Sequence, residues 1–268
     1  MTRVRLMARR PAALVAALVI LSGCTGEPRV GETIIRRTTP PILASPMPLS
    51  QEPQANLSGG TYVADRFVPP FTFRVGQGWL AYIHRPSFVF LSLGEADLRR
   101  PKALSFQTLH RVVEPEASNL FTGKLLPPPQ DLVGWLQNHP FIEASAASLT
   151  TVGGNQALQV DAVVRATPKR YGSPGAENGG CPSACVVLWT TEPEGASFVF
   201  FVKGEKVRFI IFRVGERDVV ITIEAMRAEF DQVVAESERV LGTVTFETRR
   251  SPPRPRSPAP SPSRRALR

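Results

Sequence analysis

Cysteine, histidine and lysine are scarce in this 268-residue chain, which holds three cysteines, three histidines and five lysines beside 27 arginines. No second histidine or cysteine lies two to four residues after His84, His110 or His139, so the spacing of a metal-binding motif is missing. No G-x-S-x-G elbow is present, which removes the usual signature of an α/β-hydrolase nucleophile. No G-x-G-x-x-G occurs, and Gly153-Gly154 follows no βαβ pattern, so nucleotide binding is not expected. The longest N-terminal apolar run, Pro11 to Leu21, is too short to cross a bilayer, which takes roughly 20 apolar residues. Net charge is also missing where a nucleic-acid binder would need it. The chain totals +9, but residues 59–248 hold 18 Lys and Arg against 20 Asp and Glu. The basicity sits in the two ends, so no nucleic-acid partner is expected of the domain.

The N-terminus is more informative. Arg3, Arg5, Arg9 and Arg10 precede the short apolar run, the order of a secretory signal. Positive residues stay on the cytoplasmic side while the apolar run inserts. The run ends in Leu21-Ser22-Gly23-Cys24, which resembles the lipobox of bacterial lipoproteins. Small residues give a peptidase access to the bond before Cys24, and the thiol takes a diacylglyceryl group. With N-acylation, by palmitate for example, several chains insert, each buried CH₂ contributing about 0.8 kcal/mol. Residues 1–23 therefore read as signal peptide and Cys24 as the lipidated anchor of a chain facing the extracytoplasmic side of the cell membrane. Arg9-Arg10 lacks the rest of a twin-arginine motif.

Residues 24–58 are rich in Pro, Thr, Ser and Gln and sustain no apolar period, the composition of a tether. Residues 249–268 contain seven arginines, six prolines and no acid. That composition predicts a disordered tail. Its alternative is an electrostatic contact with anionic head groups or an acidic wall polymer.

Between them, residues 59–248 carry the pattern of a folded domain. Strands are predicted over 71–75, around 79–83, 87–93 and 103–113 from β-branched and aromatic runs. Leu132, Trp135 and Leu136 fall at helical spacing between Pro127–Pro129 and Pro140. Gly153-Gly154-Asn155 predicts a hairpin turn, after which Leu158, Val160, Ala162 and Val164 alternate with polar residues. Cys185–Thr190 reads as a strand, and residues 205–225 as a hairpin around Gly215-Glu216-Arg217. A helix follows, with Phe230, Val233, Val234, Ser237, Val240 and Leu241 on one face and Gly242 placed to end it at positive φ. A short final strand completes an α+β domain, an antiparallel sheet with two packed helices.

Cys181 and Cys185, four apart, face an oxidising compartment after export. A disulfide closing a very small loop is the expected state, with modest entropic stabilisation. Free thiols are the alternative. Two cysteines without a nearby histidine do not make a tetrahedral metal site, and the spacing is not C-x-x-C.

The stretches "TFRVGQGW", "TVGGNQALQVDAVV", "CVVLW" and "GEKVRFIIFRVGERDVVITIEA" through "FDQVVAESERVLGTVTF" resemble a group of secreted bacterial lipoproteins common in actinobacteria. The domain of that group is similar to the PsbP fold, which a Ran-binding protein shares. The resemblance covers most of residues 59–248. It implies a module that binds proteins or ligands rather than an enzyme, with no cofactor.

The remaining chemistry-bearing residues read as structural. The three histidines are assigned to element ends and, for His110, a strand. Glu114/Glu116 and Glu192/Glu194 read as solvated loop edges, Asp161 as a solvated strand face, and Trp79, Trp135 and Trp189 as core anchors. The functional expectation is a membrane-anchored lipoprotein contacting an envelope protein or an apolar ligand between sheet and helices. The alternative is an envelope hydrolase with an unrecognised site.

Overall fold

A computed structural model describes residues 45–95, 97, 100–116, 124–168, 185–193 and 197–247. The N-terminal half comprises strands β1 (Met47–Pro48), β2 (Ala55–Leu57), β3 (Gly60–Ala64), β4 (Phe71–Val75), β5 (Trp79–Arg85), β6 (Phe88–Leu93), β7 (Lys102–Thr108), β8 (Arg111–Val113) and β9 (Leu125–Leu126). Helix α1 (Leu132–Gln137) leads into β10 (Ile142–Ala144), β11 (Ser148–Val152), β12 (Asn155–Val164), β13 (Cys185–Thr190) and β14 (Phe198–Val202). The chain continues through β15 (Glu205–Val214), β16 (Arg217–Met226), α2 (Phe230–Leu241) and β17 (Thr245–Phe246).

These elements form the α+β domain expected from the pattern, predominantly antiparallel, with three sheets rather than one. The central sheet runs β10-β12-β15-β16-β7-β6-β5-β2, with β11 also paired to β12. One flanking sheet is β1-β3-β4-β17, in which only β1 and β3 are parallel. The other is β14-β13-β8-β9.

Period-two alternation assigns each residue of the central hairpin to a face. Ile210, Phe212 and Val214 of β15 and Val219, Ile221, Ile223 and Ala225 of β16 pack with β3, β4 and α2. Val207 and Phe209, with Val220, turn the other way, against Trp189 and Phe201 of the second flanking sheet and Leu136 of α1. Because both faces are covered, β16 reads as an almost unbroken apolar run rather than an alternating one. Phe71, Phe73, Phe106, Phe209 and Phe230 are each at most 1% exposed. Burial of a side chain of this size contributes roughly 1.5–3 kcal/mol.

Helix α2 buries all six residues expected of its inner face. Its end differs from expectation. Gly242 has φ −62° and ψ −13°, not a left-handed conformation. The Thr243 hydroxyl donates to Val240 O at 2.7 Å and accepts from Arg74 N at 2.8 Å. A side chain therefore finishes the helix and ties it to β4. A Cβ at residue 242 would sit 3.4 Å from Glu238 O, at the edge of ordinary contact, so neither conformation nor space demands glycine there. The hairpin at Gly153-Gly154 is as predicted, with φ of +56° and +77°. At Gly153 a Cβ would meet Phe246 at 2.9 Å, so glycine is needed for space as well as for conformation.

Two further expectations are corrected. Folded structure starts before residue 59: β1 and β2 fall in the stretch assigned to the tether, and Leu49 and Leu57 are buried at 3% and 5% exposure. A short segment can pair with an existing strand and insert one leucine without showing any apolar period. The 103–113 stretch is not one strand. It breaks at Leu109-His110, so β7 belongs to the central sheet and β8 to a flanking one. His110 thus lies in the connection, where its N–H donates to Thr190 O at 3.0 Å.

A candidate apolar groove and a buried polar seam

Helix α1 is short, and its position depends on its ends. Asp131 accepts a hydrogen bond from Gly134 N at 2.8 Å, an N-cap that satisfies an otherwise orphaned donor. Leu132 and Leu136 are buried against the second flanking layer. Pro128 and Pro129 bring the chain to this cap with fixed φ and no N–H to satisfy. Facing them on the central sheet are Leu158 of β12 and Ile211 of β15, directly paired across the strands. Leu109, from the β7–β8 break, closes one side.

The space between is a groove of about 520 Å³, lined chiefly by Leu109, Pro128, Pro129, Leu132, Val133, Leu158 and Ile211. Volumes of about 300–1,000 Å³ are typical of small-molecule sites. The charged residues among its lining are Asp131, Arg213 and Asp218. Arg213 donates from Nε to Asp218 Oδ1 at 2.9 Å and from Nη2 to Oδ2 at 3.2 Å, so the two neutralise each other. Leu158 is 41% exposed, and Leu149, paired with it one strand outward, is 80% exposed. The apolar row Ile211–Leu158–Leu149 therefore runs from the groove to the sheet edge. A second crevice, about 250 Å³, lies at Pro86, Ser87, Glu192 and Pro193. There Glu192 is held by Arg85 at 3.8 Å and Ser87 at 3.5 Å, so it is a paired rather than a freely solvated carboxylate.

Deeper, between the central sheet and the second flanking sheet, lies a polar seam. Trp189 Nε1 donates to Gln107 Oε1 at 2.7 Å. An indole is a donor only, so this bond fixes the amide orientation. Gln107 Nε2 then donates to Ser105 Oγ at 2.5 Å, Ser105 meets Thr222 at 2.7 Å, and Thr222 donates to Glu224 Oε1 at 2.7 Å. Burial holds the Glu224 carboxyl up at about 7, against an ordinary 4.5, with the Thr222 hydrogen bond working in the opposite direction. Glu205 is 1% exposed. Its Oε2 accepts from Val202 N at 2.7 Å, while Oε1 has no hydrogen-bond partner among the described residues. Burial first, and the neighbouring Glu224 second, push its carboxyl well above the usual range. Neither glutamate stands out in the sequence by motif. The signal is an acid at an inward-facing position of a central strand, at the head of β15 for Glu205 and after the run Val219–Ile223 for Glu224.

The residues weighed in the sequence fall as follows. His84 is buried in β5, with Nδ1 3.2 Å from Leu49 O and Nε2 accepting from Arg66 N at 3.4 Å. Burial lowers its pKa. His139 packs between Trp135 and Phe141, and burial brings it down to about 4. His84 lies in β5, His110 in the β7–β8 connection and His139 between α1 and β10, and none lines the groove. Trp79 and Trp189 are core anchors, whereas Trp135 is only partly buried. Asp161 is not a solvated face. It receives a bidentate pair from Arg208 at 2.7 and 3.1 Å, and Arg208 also reaches Glu238 of α2 at 2.8 Å. The Asp161 hydrogen bond is the main reason the guanidinium pKa is raised. Cys185 opens β13 and is 1% exposed. Cys181, Cys24, the signal and the tail lie outside the described residues, as does Glu194. Among the described residues no cluster of three metal-ligating side chains occurs, and no helix is long and apolar enough to cross a membrane.

No family model matches the chain, and no curated protein sequence matches it. Among solved structures it is similar to LpqN of Mycobacterium tuberculosis, described as involved in cell envelope biogenesis. That likeness has 13% identity and a TM-score of 0.34, over 76% of this chain and 90% of that one. A Bacteroides thetaiotaomicron structure is similar at 9% identity and a TM-score of 0.33, over 72% of this chain and 50% of that one.

Proposed function

We propose that this chain is a lipid-anchored envelope lipoprotein, of the PsbP-like kind its sequence resembles, that holds an apolar ligand in the groove between α1 and the central sheet. The groove carries the reading. Its lining is mostly apolar, Arg213 and Asp218 are paired with each other, Asp131 is engaged in capping α1, and its size suits an acyl chain or a comparable hydrocarbon. Among the described residues that line it there is no histidine, serine or cysteine, and its two carboxylates, Asp131 and Asp218, are engaged by Gly134 N and Arg213, which favours retention of a ligand over its hydrolysis. Anchoring through Cys24 would hold the domain within a tether's length of membrane lipid, the natural source of such a ligand.

A pyrene-labelled fatty acid titrated into the detergent-free exported protein tests the groove. Each methylene withdrawn from water contributes about 0.8 kcal/mol, so a buried chain segment of a few carbons gives measurable affinity. Ile211→Asn should weaken binding at least tenfold while leaving circular dichroism unchanged. Equal binding by the variant would remove the groove as the site. The anchor is tested separately by mass spectrometry of the mature N-terminus. Acyl chains on Cys24 are expected, and an unmodified Cys24 would remove the lipoprotein assignment. A protein partner on the exposed Leu149 side is the second reading, favoured by that one side chain.

A further inference from the structure

The edge strand β11 carries none of the features that keep sheet edges apart. Residues 144–160 contain no charged side chain, in a chain of which 21% is charged. Glu143 and Asp161 bound the stretch. Within it, residues 145–149 are all exposed. Strand β11 itself, Ser148-Leu149-Thr150-Thr151-Val152, has no proline and no lysine, and its register against β12 is unbroken. Natural edges are normally blunted by charge, proline or a bulge, because every second residue presents an unpaired N–H and C=O outward. Leu149 adds an 80% exposed leucine at the middle of this edge.

We infer that β11 pairs antiparallel with β11 of a second copy about a twofold axis at Leu149. Antiparallel self-pairing sets each residue against a residue of the same short segment. A charge at residue 149 would meet its own copy directly, and one at 148 or 150 would lie diagonally from its copy, so a charge-free edge removes the repulsion that self-pairing would otherwise meet. Centred on Leu149, the register sets Leu149 against Leu149, Ser148 against Thr150, and Ala147 against Thr151. The apolar row Ile211–Leu158–Leu149 then continues across the axis into the same row of the second copy. The exposed leucine becomes covered, and two grooves open onto one continuous face. The inference rests on the proposed anchoring only for the high local concentration that confinement to a membrane surface supplies.

Light scattering on the detergent-solubilised full chain, which separates protein mass from detergent mass, should give a dimer at ~100 µM, a concentration able to capture a small interface. Leu149→Lys, a change at an exposed position, should give a monomer with unchanged circular dichroism. Directly opposed strand residues lie about 4.5–5.5 Å apart at Cα, within reach of a disulfide. Leu149→Cys should therefore yield a cross-linked dimer on a non-reducing gel. Leu158→Cys should not, since its equivalent lies three strand spacings away, roughly 14 Å. A wild-type monomer at that concentration, a dimer that survives Leu149→Lys, or cross-linking at 158 but not at 149 would each overturn the inference. None of these outcomes bears on ligand binding or on the acylation of Cys24, so the two readings fail independently.

Discussion

The buried carboxyls of Glu205 and Glu224 make stability depend on pH in a direction opposite to that of most paired carboxylates. Glu224 titrates at about 7 in the folded chain against an ordinary 4.5. Below 4.5 both folded and unfolded chains hold the proton, and the stabilisation is complete. As pH rises, the unfolded chain releases its proton first, so the folded state loses ground until pH passes about 7. At 1.36 kcal/mol per pH unit, the gap between 4.5 and 7 corresponds to roughly 3 kcal/mol. Glu205, displaced upward by burial and by Glu224, adds to the loss in the same direction.

Glu224→Gln retains the shape and the contact with Thr222 but cannot ionise. Urea unfolding of wild type and variant at pH 5 and pH 8 reads the Glu224 carboxyl together with the part of the Glu205 displacement that Glu224 causes, since the other titrating groups are common to both. Wild type should lose about 2–3 kcal/mol relative to the variant over that interval, part of the full gap being spent already below pH 5. For a domain of this size the same difference is a midpoint shift of roughly 5–10 °C. Parallel pH profiles for the two proteins would show that the carboxyl reaches water or a cation, and the account of the seam would fail.

His139 should produce the mirror image. Held neutral by burial at about 4, it favours the unfolded chain as pH falls below its ordinary 6.5, and His139→Phe should flatten the acid limb of the unfolding curve while wild type loses about 3 kcal/mol between 6.5 and 4. Trp189→Phe removes the donor to Gln107 and leaves a buried amide oxygen unpaired, so denaturant unfolding should show a loss of about 1–3 kcal/mol beyond that of the smaller ring. Phe230→Ala empties the inner face of α2 and should cost about 3–5 kcal/mol, with a cation left over the missing ring, since Lys206 Nζ sits 4.3 Å from its centroid. Deleting residues 249–268 should abolish salt-sensitive sedimentation of unlipidated protein with anionic vesicles, and equal binding by both proteins would place that contact on the near-neutral domain.

Element type was legible wherever periodicity and punctuation agreed. Strands β15 and β16 had a glycine between them and enough length to be unmistakable, and α2 showed its buried face residue by residue. What pattern could not show was layer membership. The residues of β7 and β8 share one β-rich stretch, and nothing in Leu109-His110 marks that the chain leaves one sheet for another; Thr190, whose carbonyl receives His110 N–H, is 80 residues on. Likewise β1 and β2 are recruited by partners far along the chain, Tyr62 and Val63 for one and residues 79–81 for the other. A segment of two or three residues has no period to detect.

The site was legible only in outline. The expectation of an apolar ligand between sheet and helices named no residue, and Leu158 and Ile211 look like any other strand residues until their exposure is known. The same limit hid the seam. Glu224 ends the run Val219-Val220-Ile221-Thr222-Ile223, and its alternation partners Val220 and Thr222 both face the second flanking sheet. Counting by twos from Val220 therefore puts a carboxylate on a face that a further layer covers. A sequence reading that assumes one covered face assigns Asp161 to solvent and leaves Glu224 unremarked, for one physical reason. In a three-layer fold the second face of the central sheet is interior too, so a lone acid in a central strand signals either an ion pair, as Arg208 provides for Asp161, or a carboxyl that keeps its proton, as Glu224 does.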